Sequence, residues 1–391
     1  MEQDRVTLPN KVFAVAIVVL VGALSACVAY GALTAGVKEG GGLRQSLKSA
    51  KRSIHDQFPM KLDVFVNLNG GFMRMIGRRL CNKRLLYGRD LLGMLCYAKT
   101  EKEGLKRGMH SVETLAAGLR KRKVPFVFAL APCKLDLKNE LVPAGWYVWN
   151  ANVGAERIVP KLRAHGVRVL DLIPRFAATA DDVEKNFFRT DHHWKIRTAF
   201  QASRLVVSEI ARVLRRPEIA SHPNLDEERW EWRTLHNGFC GAHGRRTGWL
   251  FAGMEDFEYT VPRFATDISF SVPSRQIFRK GTFEEAEINR QFMDDARWPT
   301  DRYAVYTGNY PLLTHSSKTA PFPYRVLLLK DSFGNPVASV LATLFRDVIQ
   351  VDMRRQPKSV SELAIVKRFK PDVVVRLENI TSFVKAGYKL K

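Results

Sequence analysis

The first and longest apolar stretch, Val12 to Leu33, runs for 22 residues without a charge, enough to cross a bilayer as one helix. Gly36 to Leu43, with Gly40, Gly41 and Gly42, reads as a flexible tether. After it the periodicity is that of a folded chain. Leu62 to Leu68 alternates like a strand and ends in the turn Asn69, Gly70, Gly71. Ser111 is placed to cap a helix reaching Lys123, and the short aromatic run PFVFALAP from Pro125 to Pro132 predicts a buried parallel strand. Ala155 to His165 has helical spacing despite Pro160, Gly166 ends it, and VRVLDL is the next strand. A loop from Ile173 to Thr190 leads to Thr198–Leu214, an amphipathic helix with Phe200, Leu205, Val206, Ile210 and Val213 on one side. From His222 to about Pro321 the pattern breaks into short aromatic, turn-rich pieces, an irregular and partly β insertion. Order returns with the strand RVLLLK, the turn DSFGNP, a helix from Val337 to Phe345, the strand VIQVDM, a helix from Val360 to Phe369 and the strand in PDVVVRL. Strands alternating with helices predict an α/β parallel sheet flanked by helices, joined by right-handed crossovers, with its functional crevice at the carboxyl ends of strands.

The domain reading is a signal anchor over 1–33, a tether over 34–60 and one globular domain over 61–391, with the insertion at about 222–321. Composition sharpens this little, since 46% hydrophobic residues suffice for a sizeable core. Charge changes it more. The net +23 resides in the globular part, because Arg5 and Lys11 cancel Glu2 and Asp4. Such a field attracts anionic partners. No zinc-finger spacing and no aromatic interleaving accompanies the basic clusters GRRLCNKR and LRKRK, so nucleic acid is not the expected partner. Five cysteines are too sparse for a disulfide framework: buried free thiols and, in an exported chain, pairing among Cys81, Cys96, Cys133 and Cys240 are both open. Leu24 to Cys27 spells a lipoprotein-type cleavage box, but the apolar run continues past it, which favours an uncleaved anchor. Lys38, Arg44, Lys48, Lys51 and Arg52 outnumber the basic residues before the run, and by that count alone the body would be cytoplasmic.

The densest chemistry is in NFFRTDHHW, Asn186 to Trp194. In an extended segment residues i and i+2 share a face, so Asp191 and His193 lie together and His192 points away. A carboxylate holding an imidazole is the second half of a nucleophile, base and orienter arrangement. Ser332 in KDSFG supplies the first half, lying between a strand end and a helix start where free N–H groups favour a developing oxyanion. His193 is then the base and Asp191 its orienter. The Ser332 amide is one oxyanion donor, and Gly308 or Asn309 in VYTGNYP is the candidate for the second, although a structural turn explains that segment too. His192 and Trp194 read as structural, Asp331 as a helix cap and Lys330 as a solvated strand end. No cofactor and no metal is required.

TDHHW (190–194) with KDSF (330–333) resembles the DHHW protein family, which is similar to the alginate O-acetyltransferases of the SGNH hydrolase-like group. The likeness runs over roughly 61–383 and includes APCK (131–134) and GRRTG (244–248). It implies an SGNH-like α/β fold, a triad of Asp191, His193 and Ser332, an extracytoplasmic site at the cell surface or in the periplasm, and acetyl transfer to a surface polysaccharide, anionic in view of the charge. It further implies an integral membrane acyltransferase as acyl donor. The chain departs from the pattern in having His192 where a small residue often separates acid and base, and no carbohydrate-binding module is evident after the last strand. Two other classes fit parts of the sequence. DHH is also the signature of manganese phosphoesterases, but these need further aspartate clusters, and no Asp-x-Asp pair precedes Asp191. A non-catalytic glycan-binding protein on a degenerate hydrolase fold is the other.

Overall fold

The apolar runs read as strands pair into one eight-stranded sheet in the order β5-β4-β13-β11-β12-β10-β8-β9. Its ranges are β4 Phe126–Ala131, β5 Val169–Asp171, β8 Ile268–Val272, β9 Ile277–Gly281, β10 Leu312–Ser317, β11 Phe322–Lys330, β12 Phe345–Val351 and β13 Val373–Asn379. Strands β5, β4, β13, β11 and β12 are mutually parallel. The expected all-parallel sheet is corrected by the other three: β10 pairs antiparallel to β12, β8 to β10 and β9 to β8. All three come from the insertion, which therefore extends the main sheet. Two smaller sheets are β1-β2-β3 (Leu80–Cys81, Leu85–Gly88, Leu91–Met94) and the hairpin β6-β7 (Trp230–Phe239, Glu255–Pro262).

The computed structural model describes residues 59–81, 85–88, 91–94, 101–134, 151–357 and 359–386. The expected anchor and all of the tether except Pro59 and Met60 lie outside them. Among the described residues no helix is long and apolar enough to cross a membrane. The chain divides into two compact units, Met1–Leu68 and Asn69–Lys391. The described part of the first is the start of helix α1 (Pro59–Met75). This replaces the expected strand at 62–68 and its glycine turn. Gly70 is needed for close packing, since a Cβ there would sit 1.9 Å from the Thr247 carbonyl oxygen.

The parallel strands are buried on both faces, as their continuous apolar runs require. In β4, Val127 and Ala129 face one core while Phe128 and Leu130 face another; in β11, Val326 and Leu328 alternate in the same way with Leu327 and Leu329. The first face is covered by α4 (Ile196–Leu214) and α5 (Gly334–Leu341), the opposite face by α2 (Glu101–Lys121), α3 (Ala151–Ala164), α6 (Glu362–Phe369) and α7 (Ile380–Ala386). Helix α2 begins ten residues before the expected cap at Ser111; that hydroxyl instead accepts from buried Arg376 at 2.8 Å. The loop expected at 173–190 contains two short helices, Ile173–Phe176 and Ala180–Asn186, the second begun by a Thr179/Asp182 capping box. From β11 the chain adds β12 on one side, then crosses to place β13 on the other. Such a switch point opens a crevice at the carboxyl end of β11, and Ser332 lies two residues past the last residue of that strand.

Candidate active site

Asp191, His192 and His193 sit at the tip of a closed loop. Its base is pinned by a bridge between Phe187 and Trp194, and the Phe188 N–H donates to the His193 carbonyl at 3.2 Å. The tip is bent, which corrects the extended geometry assumed for it. Three groups hold the bend. Lys134, buried at the end of β4, donates from Nζ to the carbonyls of Phe188, Arg189 and Asp191 at 2.6, 2.8 and 2.8 Å. Glu255, at the start of β7, accepts from the N–H groups of Arg189 and Thr190 at 2.7 and 2.6 Å and from the Thr190 hydroxyl at 2.5 Å. From the β6–β7 connection, Ala242 N–H donates to Asp191 Oδ2 at 2.5 Å. A Cβ on neighbouring Gly241 would lie 2.3 Å from that of Asp191, so only glycine fits there. Trp194 is fully buried, edge-on to Phe176 and Phe333, as a packing residue should be.

The loop meets Ser332. His193 Nδ1 donates to Asp191 Oδ1 at 2.7 Å, leaving Nε2 to accept from the Ser332 hydroxyl, also at 2.7 Å. The His193 N–H donates to the same carboxylate oxygen at 2.9 Å. The Tyr303 ring is stacked on the imidazole with centroids 3.8 Å apart and planes 5° apart. Burial, reinforced by the neighbouring His192, lowers the His193 pKa against the pull of Asp191, so the ring is neutral and basic at neutral pH. Burial alone would raise the Asp191 pKa, but the two imidazoles and their hydrogen bonds hold it well below the usual carboxylate range. The acid is thus an anion that can stabilise an imidazolium.

The separation expected for His192 does not hold. Its Nδ1 reaches Asp191 Oδ1 at 3.0 Å, its ring centroid lies 3.7 Å from that of His193, and it is part-exposed in the cleft. The ligand atoms of Asp191, His192 and His193 all lie within 4.8 Å of one another, so the three residues have metal-ligand spacing. Among the described residues no other group of three or more His, Cys, Asp or Glu has it. A two-metal phosphoesterase site needs more carboxylates than this, and His193 Nε2 is already directed at a hydroxyl.

The cleft above Ser332 has a volume of about 370 Å³ and is lined by His192, His193, Ala242, Arg245, Asp301, Asn309, Ser332, Arg354 and Arg355. Of the oxyanion candidates, Asn309 lines it; its amide nitrogen is 3.4 Å from Asp301 and its side-chain oxygen 3.4 Å from Asn335. Gly308 does not serve, because its N–H already donates to the carbonyls of Ala304 and Tyr306 within a tight turn. The Ser332 N–H has no protein acceptor among the described residues. Asp331 is buried and fixes the turn, accepting from the N–H of Phe333 at 2.9 Å and of Asn379 at 2.8 Å. Lys330 is not solvated: it is buried against Asn335, and desolvation brings its pKa down to about 8. Cys240 is a buried free thiol behind the loop.

Residues 93–235, which contain Asp191 and His193 but not Ser332, match the family model described as the SGNH hydrolase-like domain of acetyltransferase AlgX. Over that segment the chain is similar to an SGNH hydrolase-like domain, on an α/β fold with a mixed central sheet. The expected likeness to the DHHW and alginate O-acetyltransferase group is met by this family model, which covers TDHHW but not KDSF, and by solved structures. Bacillus cereus PatB1 with a sulfonyl adduct superposes with a TM-score of 0.61 at 19% identity, over 76% of this chain and 94% of that one. A DHHW family protein from Eubacterium siraeum gives 0.53 at 15% identity, over 78% and 93%. No curated protein matches the sequence. Of the residues singled out in the sequence, the structure joins Asp191, His193 and Ser332 in one hydrogen-bonded series and places Asn309 on the same cleft. Sequence reasoning missed Tyr303, the carbonyl-binding role of Lys134, Glu255, Gly241–Ala242 and the three cleft arginines. Lys134 carried a signal, as a lysine in the APCK segment just past an apolar strand, and Arg245 lies in the GRRTG segment.

Proposed function

We propose that this protein is a serine-dependent O-acyltransferase, anchored to a membrane on its extracytoplasmic side, that moves acetyl groups onto an anionic cell-surface polysaccharide. The single observation that carries the reading is the continuous series Asp191–His193–Ser332, with both hydrogen bonds at 2.7 Å. The catalytic domain is taken as 61–391.

Ser332 Oγ attacks the carbonyl of the acyl donor while His193 Nε2 takes its proton, and Asp191 stabilises the imidazolium. The tetrahedral oxyanion is met by the Ser332 N–H and the Asn309 side-chain amide. Collapse breaks the bond to the donor's leaving group, which takes the proton from His193. An acceptor hydroxyl then gives its proton to His193 and attacks the acyl-serine, and Ser332 leaves and is reprotonated. Water in place of the acceptor gives hydrolysis, so one site accounts for both activities. An integral membrane acyltransferase is the proposed source of acyl groups. Arg245, Arg354 and Arg355 along the cleft support an acceptor bearing carboxylate or phosphate groups.

The full-length protein should release acetate from an activated acetyl ester, and Ser332→Ala should lower the rate on the order of 10⁴-fold with the fold unchanged. Undiminished hydrolysis by that variant would remove Ser332 from the mechanism.

A further inference from the structure

Large apolar side chains exposed side by side mark interaction surfaces, and unit 69–391 has such a group away from the Ser332 cleft. Phe72 and Met75 near the end of α1, and Ile76 just after it, are 37%, 63% and 52% exposed; Trp249 and Leu250 in the short helix Trp249–Ala252 are 42% and 39% exposed. Spacing of i, i+3 and i+4 puts the first three on one stripe. The two segments touch: a Cβ at Gly71 would lie 3.4 Å from the Leu250 side chain, and the Arg74 guanidinium donates to the Phe251 carbonyl. Arg74, Arg78, Arg79 and Arg246 are all exposed in or beside these segments.

We propose that this face docks on the surface of an anionic lipid bilayer. An exposed tryptophan with aliphatic neighbours suits the headgroup boundary, where the ring sits among carbonyls while guanidinium groups reach outward to phosphates. Basic residues beside an apolar patch add attraction to anionic lipid. A protein partner would need no such cationic rim. The sequence places a bilayer within reach, because the charge-free run Val12–Leu33 ends only 39 residues before Phe72 (72 minus 33). Docking has a consequence for the cleft: Ala242 and Arg245, which line it, precede Trp249 in the same short connection. The face therefore holds the Ser332 cleft beside the membrane, whichever reaction that cleft performs.

The test uses the full-length protein in vesicles of phosphatidylcholine with phosphatidylglycerol, carrying brominated acyl chains that quench nearby tryptophan. Emission should be quenched, Trp249→Phe should remove most of the quenched component, and Arg78→Glu with Arg79→Glu should reduce it toward the level in pure phosphatidylcholine. Quenching unchanged by Trp249→Phe would overturn the proposal. Hydrogen exchange on the unaltered protein provides a readout independent of any variant. Segments 70–79 and 247–252 should slow only with anionic vesicles. Slowing that appears in lipid-free detergent and grows with protein concentration would assign the face to a second copy of the chain and overturn membrane docking.

Discussion

The His193 imidazole is confined more tightly than a hydrogen-bonded histidine needs to be. Asp191 fixes its tautomer, Tyr303 is stacked on it and His192 lies 3.7 Å away. Its pKa is lowered by burial and then by His192. A base must be unprotonated to accept the Ser332 proton, so kcat/KM should fall on the acid side, with a midpoint below the ordinary histidine value of 6.5. His192→Gln removes the imidazole that, after burial, lowers the His193 pKa, which makes His193 easier to protonate. The midpoint should therefore move upward in a pH–rate profile; a lower rate with an unmoved midpoint would give His192 a purely structural part. Asp191→Asn should cost on the order of 10⁴-fold in kcat by loss of the correct tautomer. At this scale the Asp191–His193 pair was legible because its residue types are rare together. His192 was misplaced because the local rule for extended chain was applied to a bend that distant residues impose.

Those distant residues act through elements. The loop 187–194 is held by Lys134 from the end of β4, Glu255 from the start of β7 and Ala242 from the β6–β7 connection. Lys134→Met leaves three loop carbonyls without their donor. At about 1–3 kcal/mol for each buried group left unsatisfied, denaturant unfolding should register a loss of a few kcal/mol, together with reduced activity. Gly241→Ala drives a methyl into Asp191 and should depress kcat strongly at a stability cost of about 1–3 kcal/mol. The parallel strands were legible as short apolar runs, since burial on both faces leaves no alternation to misread. The insertion strands β8, β9 and β10 were not. Their half-exposed alternation is broken by turns, and their partners are set by the edge that β12 leaves open.

Across the whole molecule the net charge is +23, and at the cleft three arginines line the wall beside Ser332, Arg245 paired with Asp301 and Arg354 and Arg355 with Asp352. Salt screens charge attraction over about 10 Å at 0.1 M. Raising ionic strength should increase KM for a polyanionic acceptor while leaving hydrolysis of a small neutral ester nearly unchanged. Equal sensitivity of both would detach the arginines from acceptor binding. The excess charge was visible in composition, but its placement was not, because Arg245, Arg354 and Arg355 converge from segments more than a hundred residues apart. The central claim is that Ser332 is a nucleophile activated by His193. A serine-reactive fluorophosphonate followed by peptide mass analysis tests it most directly. The account predicts one adduct, on the peptide containing Ser332, that is lost in Ser332→Ala and strongly slowed in His193→Ala. An unlabelled Ser332 peptide in the native protein, or labelling indifferent to His193, would contradict it.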